Sequence, residues 1–296
     1  MKFTQSSRRQ RTLAGNAVVT GFGYWRGRDV RVEFRPAEVD AGVVFVRGDL
    51  GPHARIKVDV RNRLDIPRRT VLAVGDERVE MVEHILAALS GLRIDNCEVW
   101  VDAAEMPGCD GSCQPFVEAL DAAGVVEQSK LRARLVVDET IRVEEDGCWV
   151  EARPFAGKLL RVEYRLDYGR QSAIPRQTFG TETTPGAFRQ ELAACRTFLL
   201  KEEADVLLAR GLGRRASVKD LLVYGPDGPI DNALRFSDEC ARHKSLDMMG
   251  DLALAQCDIV ANVIAYRSGH QLNARLVAGL LGVEAGTSVM LRRRIA

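Results

Sequence analysis

The sequence predicts an α+β fold built from two similar units. Three observations point there. Each half opens with several short β-type segments before any helical periodicity appears. Each half then carries a helix with a histidine near its start, a strand, a short polar loop and a closing helix. Strands and helices are grouped rather than alternating one for one, which argues against a parallel βαβ sheet. The polar stretch Glu127-Gln128-Ser129-Lys130 is the expected boundary, giving an N-terminal unit over 1–128 and a C-terminal unit over 129–296. An apolar fraction of 46% over 296 residues is enough for a full core.

In the first half, residues 17–21, 30–34 and 42–46 read as short strands broken by glycine. The alternation Val30-Arg31-Val32-Glu33-Phe34 marks a half-buried strand. Residues 56–60 and 70–74 continue the β pattern. From 79 to 89 the spacing of Val82, Ile85, Leu86 and Leu89 is helical, with Gly91 as the expected C-cap. Residues 97–101 form a strand, 104–112 a turn-rich loop and 114–123 a helix. In the second half, strands are expected over 135–138, 141–144, 149–152 and 159–168. Residues 176–186 are Thr-rich loop with some strand. A helix follows Pro185 over 187–194, and β and loop segments lead to a helix around His243. A strand over 259–266 and a helix over 271–281 close the chain.

Bulk properties exclude several classes. The net charge is +1, far from the basic field a nucleic-acid binder needs. Seven scattered cysteines form no CxxC pair, so reduced thiols in a cytoplasmic protein are expected. Residues 1–11 are polar and basic, without the apolar region of a signal peptide. No run of about 18 apolar residues is present, so no transmembrane segment is expected. No segment suggests a protein partner, and a monomer is expected.

Only four histidines occur, and three lie in motif-like stretches. His243, Asp247 and Asp251 recur every four residues and share one helical stripe. An imidazole and a carboxylate at i and i+4 can hold one metal. Asp251 lies about 12 Å along the axis from His243, so it reads as a group orienting another residue. A capped amphipathic helix with a solvated face contains the same pattern. Glu83-His84 opens the first-half helix, where both side chains can converge on one pocket. His84 with His243 and Asp247 makes a two-histidine, one-carboxylate set with a position left open, as in catalytic zinc sites. Glu83 beside it is placed to act as general base. The competing reading of Glu83 is a first-turn dipole residue, and of His84, packing. In Ser268-Gly269-His270, glycine permits unusual backbone, and His270 is available to protonate a leaving amine, with Asp251 as its partner. The alternative is an exposed histidine at a helix start. Thr197, in Arg196-Thr197-Phe198, can offer a hydroxyl to an oxyanion. Glu105 to Ser112 reads as a structural turn.

Taken together and in order, Val82-Glu83-His84-Ile85-Leu86, Gly91-Leu92-Arg93-Ile94-Asp95-Asn96, the 105–112 turn, Arg196-Thr197-Phe198, Arg242-His243-Lys244 with Asp247 and Gly250-Asp251, and Ser268-Gly269-His270 with Leu272-Asn273 carry a resemblance. The chain resembles the UDP-3-O-acyl-N-acetylglucosamine deacetylases of lipid A biosynthesis, most closely over 78–124 and 234–276. The resemblance implies two similar α+β domains, each a mainly antiparallel sheet with two helices, the helices sandwiched between the sheets and the active site at their junction. It implies hydrolysis of the acetamide of an acylated UDP-sugar. His84, His243 and Asp247 match its zinc ligands, iron(II) suiting the same donors. Glu83 matches the general base that activates water, His270 the general acid, Asp251 its support and Thr197 the oxyanion threonine. Lys244, Phe198 and Tyr168 fall near the substrate. An insert within 200–222 is expected to form the acyl-chain passage. Because the substrate carries a lipid tail, transient contact with a membrane surface is compatible with this reading. One departure stands out: Cys148 occupies a position where the family often has a lysine that contacts the diphosphate, with Lys158, Arg161 or Arg170 as substitutes. A related amidase acting on another acylated amino sugar, or a non-catalytic binding protein for such a lipid, are the alternatives.

Overall fold

A computed structural model describes residues 1–285. In chain order the first half contains β1 (Lys2–Leu13), β2 (Ala17–Phe22), β3 (Asp29–Pro36), β4 (Val43–Arg47), β5 (Arg55–Lys57), β6 (Arg63–Leu64), β7 (Val71–Val74), β8 (Glu77–Glu80), α1 (Glu83–Gly91), β9 (Cys97–Val101) and α2 (Gln114–Ala123). The second half contains β10 (Val125–Val136), β11 (Ile141–Glu145), β12 (Cys148–Arg153), β13 (Leu160–Leu166), β14 (Gln177–Glu182), α3 (Pro185–Ala187), β15 (Phe198–Leu200), α4 (Lys201–Ala209), β16 (Leu222–Gly225), β17 (Gly228–Pro229), α5 (Glu239–Leu252), β18 (Asp258–Tyr266) and α6 (His270–Leu281).

The class is α+β, as expected. One five-stranded sheet runs β2-β3-β9-β4-β5, and a seven-stranded sheet gathers β1, β10–β14 and β18. Two three-stranded sheets, β6-β7-β8 and β15-β16-β17, stand apart. β3 shows how a polar-looking segment becomes a strand: Val30, Val32 and Phe34 point inward, while Arg31, Glu33 and Arg35 pair on the outer face. β18 reads as a nearly continuous apolar run because it lies inside the sheet, parallel to β10 and β13 and antiparallel to β12. α2 packs on β2, α5 on β13 and β14, and α6 on β11 and β12. α1 lies against α5, so the helices form the layer between the two large sheets.

Several local expectations are corrected. Residues 1–11, given no element from sequence, lie in β1, which pairs antiparallel with β10 along most of its length. The polar stretch at 127–130, given no element from sequence, lies inside β10. Both strands are polar because much of their ribbon is exposed, and a two-stranded ribbon buries too little to need apolar faces. Residues 79 and 80 belong to the β7–β8 hairpin, with Val79 turned inward, and the helix begins only at Glu83. Gly91 is not a left-handed cap. That conformation falls on Arg93 (φ 59°), and the Ile94 N–H donates to the Leu89 carbonyl. Gly91 is needed because a β-carbon there would lie 2.3 Å from the Phe188 ring. The helix expected over 187–194 starts at Pro185, capped by the Thr184 hydroxyl, and widens into a π-type turn over Phe188–Leu192. α4 was not expected from sequence, because its apolar residues line a cavity instead of forming a packed stripe.

Candidate metal centre and active-site cavity

The charged stripe of α5 is not solvated. Twelve of its fourteen residues are buried, including His243, Asp247 and Asp251. A buried ionisable group must find a partner or lose its charge, which removes the solvated-face reading. The crossing of α1 over α5 brings the partners in. Gly250 sits under Glu83, where a β-carbon would lie only 2.1 Å from the Glu83 carbonyl oxygen. Glycine there lets two backbones nearly touch, and the first turn of α1 is carried onto the α5 stripe.

His84, His243 and Asp247 come together as a result. Their ligand atoms all lie within 4.8 Å of one another. Asp247 Oδ1 is 3.4 Å from His243 Nε2 and 3.5 Å from His84 Nε2. A tetrahedral ion with bonds near 2.0–2.1 Å has ligand-to-ligand edges of about 3.3–3.4 Å. The separations therefore suit one shared cation, and they exceed good hydrogen bonds. The two imidazole rings are nearly perpendicular, at 85°, with centroids 5.1 Å apart. His243 Nδ1 faces the Cys195 carbonyl at 3.1 Å; a proton donated there leaves Nε2 with its lone pair toward the cluster. Burial pushes the His243 pKa down to about 4, so this imidazole is neutral at physiological pH. At Asp247 burial opposes ionisation, but His243 and Lys244 outweigh it and hold the carboxyl well below its usual range. Lys244 Nζ donates to Asp247 Oδ2 at 2.6 Å. Two imidazole nitrogens and one carboxylate oxygen on buried, fixed elements fit a divalent metal.

The remaining candidates surround this cluster. Glu83 is 5% exposed, and burial raises its pKa. Asp251, fully buried, is turned toward His270 and away from the three ligands. His270 Nδ1 lies 2.9 Å from Asp251 Oδ2. Burial opposes the charge on His270, but Asp251 overcomes it and lifts the pKa to about 9. His270 is the first residue of α6 and is buried, not an exposed helix start. Gly269 before it has ordinary extended backbone (φ −129°), so the unusual conformation expected there is absent; Arg267 carries the positive φ. Thr197 is fixed by its N–H donating to the Gly111 carbonyl, so the 105–112 turn serves to seat it. Phe198 meets the His243 ring edge-on at 6.0 Å and the half-exposed Tyr168 edge-on at 5.9 Å. Sequence reasoning missed Thr70, whose N–H donates to Glu83 Oε2 and whose hydroxyl donates to Asp251 Oδ1. No local pattern marks it, since its partners lie 13 and 181 residues away. Nor did sequence reasoning assign a role to Asn273, which donates to Asp251 Oδ2.

A cavity of about 830 Å³ opens onto the cluster. Glu83, His84, Thr197, His243, Lys244, Asp247 and His270 contribute to its wall. Another part of its lining is apolar, from Leu199, Leu207, Leu212, Leu221, Val223 and Ile230. Cationic side chains in the wall are Arg63, Arg68, Lys201 and Lys244; Cys148, Lys158, Arg161 and Arg170 do not contribute. Among the described residues no helix is long and apolar enough to cross a membrane.

Comparison with known proteins agrees with this geometry. The family model described as UDP-3-O-acyl N-acetylglycosamine deacetylase matches residues 10–282. Proteins named UDP-3-O-acyl-N-acetylglucosamine deacetylase from Brucella ovis, Brucella melitensis biotype 2 and Brucella suis biovar 1 are each 36% identical over 283 residues, covering 95% of this chain and 98% of theirs. With the match running nearly end to end and the buried cluster intact, the chain belongs to the UDP-3-O-acyl N-acetylglycosamine deacetylase family.

Proposed function

We propose that this protein is the deacetylase of lipid A biosynthesis that hydrolyses the acetamide of UDP-3-O-acyl-N-acetylglucosamine, giving acetate and the free amine. The observation that carries this reading is the convergence of His84, His243 and Asp247 beside Glu83 and the Asp251–His270 pair at the wall of one cavity. His84, His243 and Asp247 would hold the metal, read as zinc with iron(II) as the alternative. Bound there, such a cation supplies Lewis acidity for the carbonyl and for water. Glu83, its carboxylate held by the Thr70 N–H, takes a proton from the attacking water. The new C–O bond forms at the acetyl carbon as charge develops on its oxygen, toward which the Thr197 hydroxyl can donate. His270, kept cationic by Asp251, gives its proton to the sugar nitrogen as the C–N bond breaks. Lys244 fixes Asp247 and faces the cavity, and Phe198 and Tyr168 form its wall beside the substrate.

The apolar lining contributed by 199–230 suits the acyl chain, consistent with an insert over 200–222 that belongs to a C-terminal domain at 129–296, after an N-terminal domain at 1–128. In α4, Val206 and Leu208 are half-exposed, and the exposed cations Arg210 and Arg214 follow in the chain, a composition suited to brief contact with an anionic lipid surface. We read the protein as a cytoplasmic monomer. The test is acetate release from the 3-O-acylated UDP-sugar by the metal-loaded protein, with chelator and with zinc or iron(II) restored. Absence of release overturns the reading. Cys148, where a diphosphate-binding lysine is expected, favours including other acylated nucleotide sugars in the panel. Release from one of those alone identifies a related amidase.

A further inference from the structure

We propose that Thr70 is a positioning residue that holds both proton-handling groups of the site in register. The proposal rests on the roles read above for Glu83 and His270. Thr70 is completely buried and stands immediately before β7. All three of its polar groups are used. Its N–H donates to Glu83 Oε2 at 2.9 Å, and its carbonyl accepts from the Val82 N–H at 3.3 Å. Its hydroxyl donates to Asp251 Oδ1 at 2.6 Å. An ionised carboxylate can only accept, so the direction of that last bond is fixed.

Both oxygens of Asp251 are thereby engaged. Oδ1 receives Thr70, and Oδ2 receives His270 Nδ1 at 2.9 Å and Asn273 Nδ2 at 2.8 Å. The side chain that aims His270 has no freedom to turn while Thr70 holds Oδ1. The β-branch of threonine restricts the hydroxyl to few rotamers. One residue therefore ties the base on α1 to the acid on α6, across α5. Thr70 is not in the cavity wall and so acts only through Glu83 and Asp251.

The test compares Thr70→Val, Thr70→Ser and Thr70→Ala in the zinc-loaded full chain. Valine keeps the shape and the N–H but removes the hydroxyl. Loss of an outer partner of this kind lowers kcat by roughly 10–100-fold. KM and bound zinc per chain should stay at parent values, because no ligand or cavity group changes. The His270 Nδ1 proton resonance should move in Thr70→Val, and Thr70→Ser should restore both resonance and kcat. A parent-like kcat in Thr70→Val, or serine as impaired as alanine, overturns the proposal. If Thr70→Val does not fold, the serine–alanine comparison decides alone. Parent turnover and Glu83→Gln report on the reading of the reaction itself, so the two failures are distinguishable.

Discussion

At the residue scale, the chemistry depends on charges kept where water cannot screen them. Glu83→Gln keeps size and burial but removes the proposed proton acceptor. Turnover should drop by about 10²–10⁴-fold, while metal analysis should still find the ion, because His84, His243 and Asp247 are untouched. Retained turnover would remove Glu83 as the base. In the proposed mechanism His270 sets the alkaline side. Its folded pKa is raised to about 9 from an ordinary 6.5. Its pairing with Asp251 therefore stabilises the fold fully below about pH 6.5 and is lost as the pH rises through about 9. The proton available to the leaving amine disappears over the same window. Rate profiles should fall on the alkaline side in the parent, and His270→Ala should lower the rate and flatten that limb. An unchanged limb in the variant would assign it to another group.

At the scale of elements, the site exists because α1 and α5 cross at backbone distance. Gly250→Ala puts a methyl group 2.1 Å from the Glu83 carbonyl, and neither backbone can yield without moving the first turn of α1. Overpacking of this kind costs about 1–3 kcal/mol, read as a lower thermal midpoint. Misplacement of Glu83 and His84 by an ångström should cost roughly 10²-fold in rate. Parent-like activity in Gly250→Ala would show that the crossing tolerates wider spacing. The small sheet β15-β16-β17 and α4 supply the apolar wall. Leu207→Arg should depress turnover of long-chain substrates more than short-chain ones, measured as the ratio of kcat/KM values. An unchanged ratio would move the acyl chain elsewhere.

At the scale of the whole molecule, the proposed ligand set draws on one helix from each half of the chain. His84 comes from α1, and His243 and Asp247 come from α5. A metal that binds only the folded state stabilises it by about 2.7 kcal/mol at a free concentration 100 times its Kd. Chelation should therefore lower the thermal midpoint of the entire protein in one transition, and zinc should restore it. Independent melting of one half, unaffected by chelator, would show that the metal does not link them. β1 adds a second link, since the N-terminal strand completes the sheet of the second half.

The sequence alone determined the class, most of the strands and α2, and it supplied the residue types that meet at the cluster. Alternation, helical spacing and the H-x-x-x-D pattern are local properties, and side-chain chemistry is written in residue types. It assigned no element to β1, to the ribbon at 127–130 or to α4, because their polarity or loose pattern reflects exposure and a cavity rather than a packed core. Only the tertiary structure decided that the α5 stripe is buried, that Gly91 and Gly250 serve close approach, and that Thr70 joins Glu83 to Asp251. Those facts arise from contacts between residues far apart in the chain. No local period records them, because they are created only when packing excludes water from between the elements.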